Sequence, residues 1–215
     1  MRTLQEKIEL FEKSDIYPVV SSEFCSGDVF DTVADIALGG AKIVQLREKK
    51  LSDSAVFELV KKCRTITDKY GMLLIVDDRL DIAMAAGADG VHLGQDDFPL
   101  PEAKKLAPDM LFGISTHNAA EIRQAIADGC GYLNIGPMFP TQTKNVPCGA
   151  LGFDEIKNLS KYVSCPFSVM GGIKEHHLPL LIAAGFKHIA MITEITQSAD
   201  VAGKVSQLRK KWLRN

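Results

Sequence analysis

The 215-residue sequence predicts a single-domain (β/α)8 TIM barrel with an extra N-terminal helix. Eight short apolar segments alternate with amphipathic helical patterns along the chain. The segments are almost continuously apolar, as expected of parallel strands that are buried on both faces. Four junctions repeat one pattern, a helix end followed by glycine and an apolar strand: "ALGGAKIVQLR", "AAGADGVHLG", "ADGCGYLNIG" and "AAGFKHIAMI". Eight such units favour a closed barrel, and no linker or low-complexity segment divides residues 1–215.

The predicted elements begin with a helix from Arg2 to Lys13, which carries Leu4, Ile8 and Phe11 on one face. Glycine at the repeated junctions suits the left-handed residue that follows a helix. The predicted strands are, in order, "IYPVV", "KIVQLR", "MLLIVD", "GVHLG", "LFGIS", "YLNIG", "FSVMG" and "HIAMI".

A last helix, from about Ser198 to Leu213, places four apolar side chains on one stripe. Its segment "RKKWLR" is basic, and we interpret it as a solvated helix face rather than a nucleic-acid or membrane contact. The stripe consists of Val201, Val205, Leu208 and Trp212.

Composition excludes several classes of function. The formal net charge is −2, so no global basic field attracts nucleic acid or an anionic membrane. No apolar run reaches transmembrane length, and the charged N-terminus lacks the apolar core of a signal peptide. The five cysteines are scattered without a C-x-x-C pair, which predicts reduced thiols in a cytoplasmic protein.

The C-terminal strand ends of such a barrel hold its active site, so polar residues there are candidates. After strand two, Gln45, Arg47 and Lys49 share one face by the period of two. Two cations and an amide therefore converge, although ordinary surface charges are the alternative interpretation.

Strands three and four are followed by pairs of carboxylates, Asp77 with Asp78 and Asp96 with Asp97. Neighbouring strands would bring these four side chains close, and Mg²⁺ is the partner that such oxygen ligands favour. Helix capping by Asp78 and Asp97 is the competing explanation. His92, within strand four, is predicted to be a packed and hydrogen-bonded histidine rather than a ligand.

Strand five ends in Ser115, whose hydroxyl is a candidate donor to a ligand oxygen. Thr116 or Asn118 is a candidate cap for the following helix. After strands seven and eight, the backbone at Gly171, Gly172 and the Ile192–Thr193 turn predicts a phosphate site.

The loop "GPMFPTQTKNVPCGALG" follows strand six. Thr141, Thr143 and Lys144 offer two hydroxyls and an ammonium group that can close over an anion. Glycines and prolines on both sides suit a bounded flap. One phosphate site and one site of cations and metal imply two phosphorylated groups in one pocket.

Six motifs in these positions resemble the thiamin phosphate synthases in order and spacing, from Tyr17 to about Gln197. They are "VQLREK", two motifs within "DDRLDIAMAAGADGVHLGQDD", "GIST", "GPMFPTQTK" and "GGI". The resemblance implies a transferase of thiamine biosynthesis. It would join hydroxymethylpyrimidine diphosphate to thiazole phosphate and release diphosphate with Mg²⁺.

The resemblance also implies roles for individual residues. The pyrimidine diphosphate would contact Gln45, Arg47, Lys49, Ser115 and Lys144, and Mg²⁺ would bind Asp78 and Asp97. The thiazole phosphate would lie against Thr141 and Thr143, with its phosphate at Gly172, Ile192 and Thr193.

Two positions depart from the family pattern. Asp77 stands where the family commonly has asparagine, which adds a negative charge where a diphosphate should approach. Thr193 replaces the serine of the phosphate turn and keeps the hydroxyl.

Two alternatives remain open at this point. A related thiazole tautomerase uses a histidine near the end of strand five, where this chain has His117. A sugar-acid aldolase is disfavoured, because it would need a Schiff-base lysine within a strand, whereas Lys49 and Lys144 lie past strand ends. A non-catalytic phosphometabolite-binding barrel would keep the pocket without turnover. Related barrels often dimerise through outer helices, which makes a homodimer a further expectation.

Overall fold

Eight parallel strands form a closed barrel, each paired with the next in chain order and the eighth with the first. The computed structural model describes residues 2–143 and 149–213. The strands are β1 Ile16–Val20, β2 Ile43–Leu46, β3 Leu73–Asp77, β4 Gly90–Leu93, β5 Leu111–Thr116, β6 Tyr132–Ile135, β7 Phe167–Val169 and β8 His188–Met191. The predicted fold class is therefore confirmed, and every strand lies within one or two residues of its predicted position.

Helices alternate with the strands around the outside of the barrel. They are α1 Leu4–Glu12, α2 Val29–Leu38, α3 Asp53–Tyr70, α4 Leu80–Ala85, α5 Leu100–Leu106, α6 Ala119–Ala127, α7 Phe153–Leu159, α8 Leu178–Ala183, α9 Thr193–Thr196 and α10 Val201–Leu213. The glycines at four of the predicted junctions have positive φ: Gly40, Gly87, Gly129 and Gly185. The repeated sequence pattern therefore corresponds to left-handed helix ends.

The period of two divides each strand between two cores. In β2, Val44 and Leu46 pack in the large outer core between sheet and helices, whereas Ile43 faces the barrel interior. Gly113 on β5 faces inward as well, where a Cβ would collide with the Tyr132 ring. The interior is therefore filled by large side chains and is not a pore.

Helix α1 closes the N-terminal end of the barrel. Phe11 is fully buried, and its ring stacks on Tyr132 with the ring centroids 4.3 Å apart. Leu4 and Ile8 pack against the same interior cluster, as the amphipathic pattern predicts. The extra helix is thus the floor of the barrel, which leaves the opposite end for ligands.

Helix α10 packs through the predicted stripe. Val205 and Leu208 are fully buried, Val201 is nearly so, and Trp212 is partly buried against the outer core. Among the described residues, no helix is long and apolar enough to span a membrane. The four described cysteines are free thiols, namely Cys25, Cys63, Cys130 and Cys165.

Candidate active site

A cavity opens at the C-terminal ends of the strands. It is lined by residues from all eight strand ends or the loops that follow them, with the exposed mouth on one side of the barrel. Of the predicted site residues, the described ones that line it are Gln45, Arg47, Asp77, Ser115, Thr141, Thr143, Gly172, Ile192 and Thr193. The predicted strand ends therefore converge on one pocket.

Arg47 and Lys49 are held by carboxylates in the ligand-free structure. Arg47 Nε lies 3.4 Å from Asp77 Oδ2, and Lys49 Nζ lies 3.2 Å from the same oxygen. Lys49 also forms an ion pair with Asp78. The side chain of Gln45 donates from Nε2 to Asp77 Oδ1 at 2.6 Å. Asp77 is therefore the centre of a network that offsets much of the positive charge on this side of the cavity.

Asp78 has an unusual backbone conformation. Its φ is 59°, and no other non-glycine residue in the described ranges has a positive φ. Its N–H donates to the carbonyl of His92 on the neighbouring strand at 2.8 Å. A strained residue at the carboxyl end of a strand is typical of a functional position.

Asp97 makes a different contact from Asp78. Its Oδ2 accepts a hydrogen bond from the backbone N–H of Gly94 at 2.6 Å, and it lines a separate cleft beside α6. Neither aspartate caps a helix: the residues at the cap positions of α4 and α5 are Arg79 and Pro99, without side-chain cap bonds. The capping explanation is therefore wrong for both residues.

The predicted cluster of four carboxylates does not form. Within residues 2–143 and 149–213, no three histidine, cysteine, aspartate or glutamate side chains lie together as ligands for one ion. Asp97 instead bonds the Gly94 N–H beside a separate cleft, while Arg47 and Lys49 pair with Asp77 and Asp78. The remaining donors still suit Mg²⁺, because that ion is commonly bound by one or two carboxylates with substrate phosphates and water.

A buried chain of hydrogen bonds runs from the barrel interior to the cavity. The hydroxyls of Tyr17 and Tyr132 are 2.8 Å apart, and Tyr132 Oη lies 3.1 Å from His92 Nδ1. His92 Nε2 lies 2.9 Å from Ser115 Oγ, which lines the cavity. Burial raises the pKa of both tyrosines, so the phenols stay protonated. His92 is a packed, hydrogen-bonded histidine, as predicted, and it orients the Ser115 hydroxyl.

His117 also lines the cavity. Its Nδ1 lies 2.8 Å from Glu121 Oε2, and its backbone N–H donates to the same oxygen. Asn118 caps α6, because its Oδ1 accepts from the N–H groups of Ala120 and Glu121. Thr116 instead donates to the carbonyl of Asn134 on β6. Of the two candidate caps, Asn118 is thus the one that acts.

The loop after β6 is anchored at its base. The N–H groups of Met138 and Phe139 donate to the carbonyls of Met170 and Gly171, at 2.7 and 2.9 Å. Its returning limb donates from Leu151 to Pro137 at 2.8 Å. Above this base, the hydroxyls of Thr141 and Thr143 lie 3.0 Å apart. Lys144, predicted to belong to the same flap, lies outside the described residues.

Gly172 lets this loop approach strand seven closely. Its φ is 62°, and a Cβ would come within 2.9 Å of the Phe139 carbonyl oxygen and collide with that of Pro140. Gly172, Ile192 and Thr193 line the same wall of the cavity. The Thr193 hydroxyl accepts a hydrogen bond from Lys174 Nζ at 3.0 Å. Backbone groups, a hydroxyl and a nearby ammonium group therefore meet where the phosphate turn was predicted.

Comparisons with known proteins agree with this geometry. The family model described as "Thiamine monophosphate synthase" matches residues 16–195. The chain belongs to this family. It is 37% identical over 206 residues to the thiamine-phosphate synthase of Caldicellulosiruptor saccharolyticus, covering 95% of this chain and 93% of that one. It is 39% identical to that of Shouchella clausii over 188 residues, covering 86% and 90%.

Solved structures extend the comparison. The thiamine phosphate pyrophosphorylase of Pyrococcus furiosus superposes with a TM-score of 0.87 at 30% identity, covering 95% of this chain and 98% of that chain. A 3-hexulose-6-phosphate synthase superposes with a TM-score of 0.66 at 18% identity, which is a likeness of fold alone. The resemblance in the six motifs is therefore confirmed over the whole barrel.

Sequence reasoning missed several residues that shape the cavity of this family member. Asn134, Met170 and Lys174 were not singled out, although the first two line the cavity and Lys174 holds Thr193. The signal for Asn134 was present, because it is the lone amide in the apolar strand "YLNIG" and shares the inward face with Tyr132. Among the described residues, Lys49, Asp78 and Asp97 do not line the cavity itself.

Proposed function

We propose that this chain is a thiamine-phosphate synthase, a transferase that joins hydroxymethylpyrimidine diphosphate to hydroxyethylthiazole phosphate and releases diphosphate. The observation that carries the proposal is a single cavity, in a member of this family, with cationic side chains on one side and glycine and threonine turns on the other. Arg47 and Lys49 approach one wall, and the Gly172 and Ile192–Thr193 turns form the other. The distance between reacting groups is then set by the barrel, which holds both walls rigidly.

The pyrimidine diphosphate is assigned to the side of β2, β3 and β5. Arg47 and Lys49 exchange their ion pairs with Asp77 and Asp78 for the diphosphate oxygens, and Ser115 donates its hydroxyl. His92 supports this role of Ser115, because the histidine nitrogen 2.9 Å away fixes the hydroxyl direction. Lys144 is assigned to the same diphosphate on the strength of the family resemblance.

The thiazole phosphate is assigned to the opposite wall. Its phosphate is bound by the backbone of Gly172 and Ile192 and by Thr193. The thiazole phosphate is contacted by Thr141 and Thr143 from the loop above. The bond from Lys174 to Thr193 supports this assignment, since it places an ammonium group, which also pairs with Glu194 at 3.5 Å, beside the turn.

Asp78 and Asp97 are assigned to Mg²⁺. When bound, Mg²⁺ supplies positive charge that stabilises the departing diphosphate. The role of this chain's residues is to present carboxylate oxygens from two neighbouring strand ends, β3 and β4.

The reaction needs positioning and charge stabilisation rather than a base. The bond between the pyrimidine methylene carbon and the diphosphate oxygen breaks, and diphosphate takes the electron pair. The aminopyrimidine stabilises the methylene cation, and the thiazole nitrogen then forms the new carbon–nitrogen bond. Arg47, Lys49 and Lys144 stabilise the negative charge that grows on the leaving group. The buried interior below Ser115 excludes water from the cation.

The tautomerase alternative rests on one observation, the placement of His117 on the cavity with Glu121 bonded to its Nδ1. The aldolase alternative has less support, because no lysine lines the described part of the cavity. The binding-only barrel differs from the synthase in turnover alone. Diphosphate release, ligand binding and isomerisation, measured on the same protein, separate the synthase, the binding-only barrel and the tautomerase.

The deciding experiment is diphosphate release by the purified protein with Mg²⁺ and both substrates, and with each of the three omitted in turn. Release that requires all three, with thiamin phosphate formed, supports the synthase. Calorimetric binding of either substrate without release would contradict the synthase and favour the binding-only barrel. Isomerisation of thiazole carboxylate phosphate without coupling would favour the tautomerase.

Lys144→Ala tests the flap within this function. We expect an intact fold and a loss of coupling of about 100-fold or more, because one cation on the leaving group is removed. Lys161→Ala is the matched control, since that lysine is exposed and its ammonium group bonds the side chain of Asn158, away from the cavity. Coupling by Lys144→Ala at the rate of the control would remove the flap lysine from the mechanism.

We further propose that residues 1–215 form one domain and that the protein is cytoplasmic. The single closed barrel supports the first proposal, and the four described cysteines, which are free thiols, support the second. A homodimer through the outer helices is proposed by analogy with related barrels. Sedimentation analysis would test it.

A further inference from the structure

Asn134 lies in the cavity wall with an oxygen that has no hydrogen-bond partner in the part of the chain that the structure describes. The residue is 1% exposed, and its Nδ2 donates to Met170 Sδ at 3.0 Å. Its Oδ1 is buried and has no hydrogen-bond partner among the described residues. A buried amide oxygen without a hydrogen-bond donor is unfavourable. A ligand that brings a donor into the cavity would therefore satisfy this oxygen.

The position of Asn134 places this oxygen in the deep part of the cavity. Asn134 is in register with Ser115 on β5 and Ser168 on β7. Two residues earlier on the same face, Tyr132 is fully buried in the barrel interior. Arg47, by contrast, follows the last residue of β2 and is nearer the mouth. The part of a ligand that contacts Asn134 is therefore the part that lies deepest in the cavity.

The chemistry of the unpartnered oxygen selects among the parts of the two substrates. Diphosphate, phosphate and thiazole nitrogen are hydrogen-bond acceptors, and a carbonyl oxygen repels them. The exocyclic amine of the aminopyrimidine is the N–H donor that the two substrates provide. Two amide oxygens on the described cavity wall lack a partner, Asn134 Oδ1 on β6 and Gln45 Oε1 on β2, and such an N–H donor can satisfy either of them.

We propose that Asn134 is a specificity-determining residue, whose Oδ1 accepts a hydrogen bond from the exocyclic amine of the pyrimidine substrate. This inference rests on the proposed function and goes beyond it in naming how the ring is recognised. Binding in this direction puts the ring inward and the diphosphate outward, toward Arg47 and Lys49. It also discriminates against the analogue in which an oxo group replaces the amine, since two carbonyl oxygens would then face each other.

Calorimetry on the full chain tests the proposal. Asn134→Leu removes the acceptor at similar volume, and Asn134→Ala removes it without the risk of overpacking. Both variants, with wild type, are titrated with hydroxymethylpyrimidine diphosphate, its oxo analogue and inorganic diphosphate, which shares the charged group and lacks the ring. Ser168→Ala is the matched control, because Ser168 is the fully buried register neighbour of Asn134 and does not line the cavity.

We expect both Asn134 variants to lose affinity for the pyrimidine diphosphate by about tenfold or more and to bind inorganic diphosphate as wild type does. Discrimination between the amine and the oxo analogue should shrink by a similar factor, and the KM for thiazole phosphate should stay unchanged. Ser168→Ala should behave as wild type in every titration. Thermal unfolding checks that each variant is folded.

Two results would overturn the inference in an active wild-type enzyme. One is unchanged affinity for the pyrimidine diphosphate in a folded Asn134 variant, which would mean that water alone satisfies the oxygen. The other is an equal loss for pyrimidine diphosphate and inorganic diphosphate, which would mean a general disturbance. Failure of wild type to release diphosphate from the two substrates would instead overturn the proposed function, and the inference with it.

Discussion

The carboxylate of Asp77 lies where the proposed function assigns the diphosphate. It accepts from Gln45 and pairs with both Arg47 and Lys49, so the cations have a partner before substrate arrives. In the proposed function, a diphosphate would bind by displacing that carboxylate or sharing its cations. We therefore expect the carboxylate to reduce substrate affinity.

Asp77→Asn should strengthen binding of the pyrimidine diphosphate. The amide keeps an oxygen for Gln45 and removes the charge that competes for Arg47 and Lys49. Because Lys49 is partly exposed and screened by solvent, we expect the KM to fall by about threefold. Steady-state kinetics measures this, with Glu23→Gln as the control for the same charge change on the same rim, where Glu23 pairs with Lys50. A raised KM would show that Asp77 helps to bind substrate.

Asp97 combines a structural contact with a proposed metal role, and one substitution separates them. Asp97→Asn retains an oxygen for the Gly94 N–H, whose bond is 2.6 Å long in the wild type, and loses the charge. We expect the Mg²⁺ concentration for half-maximal activity to rise by about tenfold, with little change in melting temperature. An unchanged Mg²⁺ titration would leave Asp97 with the structural role alone.

At the scale of elements, α1 and the loop after β6 occupy opposite ends of the barrel. Backbone hydrogen bonds join the loop to the residues that follow β7, and the loop backbone passes close to Gly172. Helix α1 is joined to the interior through aromatic rings. Changes in the loop should therefore act on substrate binding, and changes in α1 should act on stability.

Phe11→Ala should destabilise the protein without abolishing activity in the folded fraction. Phe11 is fully buried and stacks on Tyr132, so its removal leaves a cavity beneath the barrel, at a cost of about 3–5 kcal/mol. Urea denaturation measures the free energy of unfolding. Phe98→Ala is the control, because Phe98 is 45% exposed and should cost far less. Equal losses in the two variants would show that α1 does not close the core.

At the scale of the whole molecule, stability and function lie at opposite ends. The N-terminal end holds buried ion pairs, Asp15 with Arg209 and Asp89 with Arg2 and Arg64. It also holds His188, whose Nδ1 donates to the Ser14 carbonyl at 2.8 Å. The C-terminal end holds the cavity. This separation lets the loops carry chemistry while the closed end maintains the fold.

His188 should make stability depend on pH. Burial lowers the pKa of His188, with a smaller opposing effect from its bond to Ser14 and the carboxylates of Asp15 and Glu12. The unfolded chain therefore binds a proton more readily than the folded one, so this contribution is fully present above the ordinary pKa of about 6.5 and is lost as pH falls below it. Urea denaturation between pH 7.5 and 5.5 should show a smaller loss of unfolding free energy in His188→Gln than in wild type.

The pKa of His177 is lowered as well, so His177 serves as the comparison for His188. Its pKa is lowered by burial and by neighbouring His176, but it is more exposed than His188. His177→Gln should reduce the pH dependence less than His188→Gln does. The explanation fails if the His188 variant keeps the full wild-type slope.

Much of this structure could be predicted from local patterns. The glycine repeat and the apolar strands predicted the eight βα units, because each depends on contacts within about twenty residues. The period of two placed Gln45 and Arg47 on one face of the strand. Because active sites of such barrels lie at the C-terminal strand ends, these residues were expected at the mouth. The carboxylate cluster failed as a prediction because pairing with Arg47 and Lys49 depends on side chains from other strands.

The sequence by itself therefore determined the order of the elements, the end of the barrel that carries the site, and the residue types present there. Only the tertiary structure decided which of those residues neutralise one another. It also decided that Tyr17, Tyr132 and His92 support Ser115, and that the Asn134 oxygen has no partner among the described residues. Period and propensity are local properties of the chain, whereas hydrogen-bond partners are set by strands that closure of the barrel brings together from distant positions.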